Sequence, residues 1–176
     1  MIKYRTLIGA NATQEEINTF VELVASGGAV DEVYVRMGVV RLGAQIAVAE
    51  VAGQTVGVAA LKVPSHEYRI GLQGTNKANY SLTEQEYPYE LGYVSVSPEH
   101  AGKGIAKALV AEVMRLAGEN GIFATTSNPT MKEGILPSFK FVPVGKTWKN
   151  PSGDTLVLLV RKSQKDNTDQ QRHALR

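Results

Sequence analysis

The stretch Leu91–Leu116, LGYVSVSPEHAGKGIAKALVAEVMRL, constrains the fold more than any other. A β-rich, alternating run, Tyr89–Ser97, ends at Pro98. A loop carrying Gly102 and Gly104 follows, and then a predicted helix over Gly104–Asn120. That helix gathers Ile105, Leu109, Val113 and Leu116 on a buried stripe and turns Lys107, Glu112, Arg115 and Glu119 away from it. A short strand, Gly121–Thr126, comes next. Strand, helix, strand in this order is a βαβ unit, so the two strands should run parallel with a right-handed crossover. The same order builds an anion pocket from backbone alone. The first helical amides have no partner within the helix, and the helix dipole is positive there.

The flanking chain supplies the rest of a mixed sheet. Ile2–Ile8 reads as a strand. Thr13 and Glu16 make a capping box for a helix with Ile17, Phe20, Val21 and Val24 on one face, ending at Gly27-Gly28. A second helix, about Val30–Leu42, is interrupted by Gly38 and follows the helical period through Val33 and Met37. Gln45–Val51 and Thr55–Val63 form a hairpin about Ala52-Gly53-Gln54. Pro64–Pro88 is a long connection rich in tyrosine (Tyr68, Tyr80, Tyr87), with one short helix suggested by Ser81-x-x-Glu84. It reads either as a substrate-facing lid or as a surface excursion packed by its own tyrosines. Asn128-Pro129-Thr130 opens a further short helix ending near Pro137. Phe141–Trp148 and Thr155–Arg161 close the sheet around the turn Asn150–Asp154. One domain over residues 1–162 is expected, with a polar tail over 163–176.

Composition excludes several functions. There is no cysteine, so disulfides, thiolate nucleophiles and cysteine-held metals are out. No His/Asp/Glu cluster has ligand spacing, and no metal is expected. The net charge is only +2 and the basic residues are scattered, so nucleic acid is not an expected partner. No apolar run suits a bilayer span or a secretion signal, which leaves no membrane partner and a cytoplasmic location as the expectation.

The glycine loop fits neither common nucleotide motif. A P-loop requires Lys after its last glycine, where this chain has Ile105; a dinucleotide fingerprint requires a third small residue, where it has Lys107. Lys103 and Lys107 sit where acidic residues are favoured, a sign that an anion occupies the site. The run Val94–Leu109, VSVSPEHAGKGIAKAL, resembles the acetyl-CoA motif of the GNAT-type N-acetyltransferase superfamily, V-x-P followed by [QR]-x-x-G-x-[GA] and a helix. Gly104 and Ala106 match its last positions and Gly102-Lys103 its usual spacer. Ala101 replaces the opening Gln or Arg. The order of elements also follows the family's over most of the chain.

The resemblance implies an α/β (α+β) fold: a mostly antiparallel central sheet of roughly six to seven strands flanked by helices, with a parallel pair splayed at the cofactor site. It implies acetyl-CoA as cosubstrate, its pyrophosphate on the loop Ala101, Gly102, Lys103, Gly104, Ile105, Ala106 and Lys107. The pantetheine arm would pair with Val94, Ser95 and Val96. Asn128 would contact that arm, or simply cap its helix, or both. The reaction implied is direct attack of a primary amine on the thioester in a ternary complex. The acceptor is open: a small molecule or a protein amine. Such an amine has a pKa near ~10 and must lose a proton. Glu90 is the candidate base, given burial or a water relay; a solvated strand-edge role is the alternative. A backbone N–H near Val94–Val96 would hold the oxyanion. The family's acid, a tyrosine, is replaced by Leu136; Ser138, Tyr87, Tyr89 or water are substitutes. A catalytically weak acyl-CoA-binding regulatory module is the rival reading, and a homodimer is left open.

Overall fold

The computed structural model describes residues 1–28 and 30–165. Seven strands hydrogen-bond in the order β1-β2-β3-β4-β5-β7-β6. They are β1 (Ile2–Ile8), β2 (Gln45–Val51), β3 (Gln54–Lys62), β4 (Tyr89–Val96), β5 (Ile122–Thr126), β6 (Val142–Lys149) and β7 (Thr155–Arg161). Pairing is antiparallel in β1–β2, β2–β3, β5–β7 and β6–β7, and parallel in β4–β5. The expected mixed, mostly antiparallel sheet with one parallel pair is what forms. Among the described residues five α-helices accompany it: α1 (Gln14–Ser26), α2 (Glu32–Val39), α3 (His66–Gln73), α4 (Ile105–Ala117) and α5 (Leu136–Ser138).

The chain divides into two compact units, each with its own core. One holds Met1–Val63 and Leu91–Leu116; the other holds Pro64–Glu90 and the chain from Ala117. In the first, α1 begins with the expected capping box: Thr13 Oγ1 accepts from Glu16 N–H at 3.1 Å, and Glu16 Oε2 accepts from Thr13 N–H at 2.8 Å. Phe20, Val21 and Val24 then pack on Ile46, Val48, Val58 and Ala60 of the β2–β3 hairpin. That hairpin turns on Ala52 and Gly53, both at positive φ, the geometry a two-residue turn needs to match strand twist.

Two expectations fail here for physical reasons. The second helix is shorter than Val30–Leu42, because Asp31 caps it at Val33 N–H. Its buried face is Val35 and Val39, while Val33 and Met37 are 63% and 61% exposed. A helix apolar on both faces gives a period that fits either one. The short helix of the long connection is not at Ser81–Glu84 either. It is α3, where Ser65 Oγ accepts from Tyr68 N–H at 3.2 Å. The 81–84 segment forms only a turn, because Leu82 N–H is taken by Gln73 Oε1 of α3 and Thr83 caps Glu86 instead.

In the second unit, Leu72, Ala78, Leu82, Tyr87, Phe123, Leu158 and Val160 form the core. Tyr80 and Tyr87 share a hydrogen bond of 3.1 Å between their hydroxyls, so tyrosines do pack the long connection. The helix after Asn128 forms as a π-helical turn, Thr130–Ile135, in which Leu136 N–H reaches back five residues to Met131 O. Of the expected tail over 163–176, residues 166–176 lie outside the described residues.

Candidate active site

The glycine loop belongs wholly to the first unit. It is anchored by a β-bulge in β3, where the register with β2 shifts between Ala49 and Glu50. Val56 O, freed from the ladder, accepts from Ser97 N–H at 2.8 Å. A 3-10 turn, Pro98–His100, follows, closed by Ala101 N–H on Pro98 O, and His100 Nδ1 meets Ser97 Oγ at 2.9 Å. Gly102 and Gly104 then adopt φ of +73° and +77°, and the space a side chain would fill at either is open. These are positions that glycine takes without strain.

Ala108 N–H donates to Gly104 O at 3.1 Å, which makes Gly104 the cap of α4. The amides of Ile105, Ala106 and Lys107 therefore have no acceptor inside the helix. The first turn holds no acidic residue, while Lys103 and Lys107 are exposed beside it. Ile105 is buried and ties the helix start to the sheet: Gly57 of β3 lies so close that a Cβ there would meet Leu109, Ile105 and Val96 at 3.0–3.3 Å.

Upstream, β4 carries Val94, Ser95 and Val96, all half-buried. Ser95 donates its hydroxyl to Leu23 O of α1 at 2.7 Å, so its side chain serves the packing and leaves only its backbone to a ligand. Tyr93 has φ +52°, a left-handed residue inside a strand and a local break in the pleat. It is held there by an edge-on contact with Phe20, ring centroids 5.9 Å apart, and by Lys62 Nζ at 4.3 Å over its ring. The sequence showed this distortion only indirectly, as Gly92 inside a strand.

In the second unit, β4 and β5 pair through Tyr89–Ile122 and Glu90–Phe123, although both strands run on beyond those residues. Glu90 is 3% exposed, which removes the solvated-edge alternative. Arg69 of α3 is 2% exposed and went unnoticed in the sequence; the only signal was one arginine on the same short helix as buried Leu72. Asn128 caps its helix, with Oδ1 accepting from Met131 N–H at 3.1 Å, and its side chain is exposed. Leu136, where the resemblance puts a tyrosine, is fully buried. Ser138 is exposed and donates its hydroxyl to Ile135 O at 2.6 Å. Tyr87 is buried, with burial first and the Tyr80 hydrogen bond second in pushing its pKa up, so it is a poor proton donor. Tyr89 is half-buried.

Among the described residues no group of three or more His, Cys, Asp or Glu could hold a metal ion. A separate cleft of about 270 Å³ in the first unit, bordered by the Arg5–Glu16 and Arg5–Glu50 ion pairs, includes none of the candidate residues.

Residues 43–136, more than half of the chain and including the whole glycine loop, match the sequence profile of the acetyltransferase (GNAT) domain. The chain belongs to the GNAT acetyltransferase family. An acyl-transferring enzyme of the N-acetyltransferase class follows from that membership. The GNAT fold is also what solved structures share with it. An acyl-CoA N-acyltransferase from Pseudomonas aeruginosa superposes with a TM-score of 0.67 at 13% identity, over 92% of this chain and 99% of that one. A protein described as histone acetyltransferase HPA2 and related acetyltransferase, from Corynebacterium glutamicum, gives 0.66 at 19% identity, over 91% and 96%. FeeM, an N-acyl amino acid synthase from uncultured soil microbes, gives 0.67 at 13%, over 92% and 91%. Among curated protein sequences none matches the chain. No helix of the described residues is long and apolar enough to cross a membrane.

Proposed function

We propose that this GNAT enzyme moves the acetyl group of acetyl-CoA to a primary amine by direct attack in a ternary complex, with residues 1–162 acting as one functional domain. The observation that carries the donor half is the loop. Two open, left-handed glycines and three outward amides stand at a helix start that has no acid and two lysines. That is a cradle for a pyrophosphate. Ala101 offers no side chain to the phosphates, so binding rests on backbone N–H groups from Gly102 to Lys107 and on the charges of Lys103 and Lys107. Val94–Val96 would pair with the pantetheine amides as an added strand would, and Asn128 would contact the same arm. A cytoplasmic setting goes with the donor.

The acceptor nitrogen attacks the thioester carbonyl, the C–N bond forms, and the C–S bond then breaks. Glu90 takes the amine's proton, directly or through one water, and passes it to solvent. A backbone N–H near Val94–Val96 holds the oxyanion while it exists. The departing thiolate takes a proton from Ser138 or water. Ser138 can serve only by leaving Ile135 O, and Leu136 and Tyr87 have no part in the step.

Calorimetry with acetyl-CoA tests the donor half, and absence of binding would sink the reading. Turnover with a panel of amines then compares wild type with Glu90→Gln. Loss of kcat/KM by about 10²–10⁴-fold is expected with acetyl-CoA affinity kept. A variant as active as wild type at every pH would remove Glu90 from the chemistry. Tight acetyl-CoA binding with no turnover on any amine would refute the amine acceptor.

A further inference from the structure

Arg69 and Glu90 are the only charged side chains buried among the described residues. Burying one charge is expensive unless an opposite one accompanies it. Several observations place the two together. Glu90 faces Phe123 across the parallel ladder, and paired residues project from the same side of a sheet. The Arg69 guanidinium carbon lies 5.8 Å from the centre of the Phe123 ring. It is therefore on the face that Glu90 uses. Burial pulls the guanidinium's pKa down, and the charges of Glu84 and Glu90 act against that.

The guanidinium also organises the backbone leading into Glu90. Nη1 donates to Leu82 O at 3.2 Å and to Tyr87 O at 2.7 Å, and Nη2 donates to Pro88 O at 3.1 Å. Three carbonyls, two of them from Tyr87 and Pro88 just ahead of Tyr89-Glu90, are thus pinned by one planar group. Gln73 of the same helix holds Leu82 N–H. Neutral carbonyls take donors from both Nη1 and Nη2, and the buried Nε finds no acceptor; only a carboxylate balances the charge.

We propose that Arg69 is a positioning residue for Glu90: it fixes the Tyr87–Pro88 backbone and sets a positive charge on the face from which Glu90 would meet the amine's proton. The proposal rests on the reading of Glu90 as the base. When Glu90 takes the proton, Arg69 loses one of the two carboxylates whose charge acts on it, Glu84 being the other, which favours release of that proton to water. The other titratable groups about the pair are Glu84, whose charge also reaches Arg69, and Tyr87, whose hydroxyl is held by Tyr80. From β5 the pair is faced by Phe123, which does not titrate.

The test uses the full chain with acetyl-CoA and an amine that wild type accepts. Arg69→Met should move the acid limb of the kcat/KM profile up by about one pH unit or more, since a cation beside a carboxyl favours its ionised form and the variant lacks that cation. Arg69→Lys should keep the limb near wild type yet lower kcat about ten-fold or more at unchanged acetyl-CoA KM, because an ammonium cannot span three carbonyls as a planar fork does. Should Arg69→Met fail to fold, melting of Glu90→Gln, Arg69→Lys and the double variant Arg69→Met/Glu90→Gln reads the pair. In that case the double variant should fold and melt cooperatively, since removing the carboxylate relieves the unpaired charge that unfolds Arg69→Met. An unmoved limb in Arg69→Met, or wild-type kcat in Arg69→Lys, or a double variant that fails to fold just as Arg69→Met does, would overturn the assignment. If those results come with an inactive Glu90→Gln, only Arg69 loses its role. If Glu90→Gln is itself fully active, the base reading falls and Arg69's role in it falls too.

Discussion

Gly57 joins the sheet to the glycine loop, and enlarging it tests that join. It lies in β3, paired with Ala49 next to the bulge that frees Val56 O for Ser97. A methyl group at Gly57 would sit 3.0 Å from Leu109 Cδ1, 3.2 Å from Ile105 Cγ2 and 3.3 Å from Val96 Cγ2. Each contact is too tight by a few tenths of an ångström. Ile105 and Leu109 are 1% and 0% exposed, so neither can turn out to solvent. Overpacking of this kind costs about 1–3 kcal/mol. Its φ is not in the glycine-only region, so Ala returns about 0.4–1 kcal/mol through a less flexible unfolded chain. Gly57→Ala should therefore destabilise by roughly 1–2 kcal/mol, lowering Tm by about 2–4 °C for each kcal/mol. The side chains that must yield belong to the first two turns of α4 and to the end of β4, which bracket the glycine loop. A shift there misaligns the outward amides. Loss of about 1 kcal/mol of binding corresponds to roughly five-fold weaker acetyl-CoA affinity. Thermal unfolding and calorimetry read the two effects separately. A variant with wild-type Tm would refute the packing argument. One that is destabilised yet binds acetyl-CoA as wild type does would refute the claim that β3 sets the loop.

Other consequences are as direct. Gly104→Ala should cost about 1 kcal/mol, because φ is +77° there, and should also weaken acetyl-CoA several-fold. Gly118→Ala, at φ +60° beyond the other end of α4, carries the same strain and should leave acetyl-CoA affinity alone; calorimetry on both separates strain from ligand contact. Thr13→Ala should cost about 1 kcal/mol through loss of the α1 cap. The Thr13 amide, and after it Arg5, hold the Glu16 carboxyl below its ordinary value of 4.5. A carboxyl depressed on folding stabilises fully above its unfolded-state pKa and loses that contribution as pH falls through the folded one. Melting curves should show the stabilisation from this carboxylate fading below about pH 4.5, and a gap between wild type and Glu16→Gln that stays constant down to pH 3 would contradict it.

Much of the fold could be read from local patterns, and the misreadings have local causes. Thr13 with Glu16, the Ala52-Gly53 turn and the Ile105–Leu109–Val113 stripe each decide their own conformation within a few residues. The helix over Glu32–Val39 could not be oriented that way, since Val33 and Met37 carry the same period as Val35 and Val39, and only packing against β2 and β3 selects a face. Ser81-x-x-Glu84 has the pattern of a capping box, yet its outcome hangs on Gln73, a residue on another element that takes Leu82 N–H.

The same distinction separates the two halves of the candidate site. The donor half is written in consecutive residues, because a helix N-terminus makes its amides available whatever surrounds it, and Gly102 and Gly104 report their φ by their identity. A base is different. Glu90 on an exposed strand would be an ordinary carboxylate. The resemblance made it a candidate, but its setting comes from burial under residues distant in sequence and from Arg69, twenty-one positions upstream. Nothing in the string Tyr-Glu-Leu-Gly-Tyr announces either. A buried pair of opposite charge is weak evidence for stability, since two apolar residues often serve that end better. If the pair exists to hold a proton acceptor in one place and one charge state, replacing both residues should spare the fold and abolish turnover; a double variant Arg69→Met/Glu90→Gln that both folds and turns over would leave the pair with no catalytic purpose.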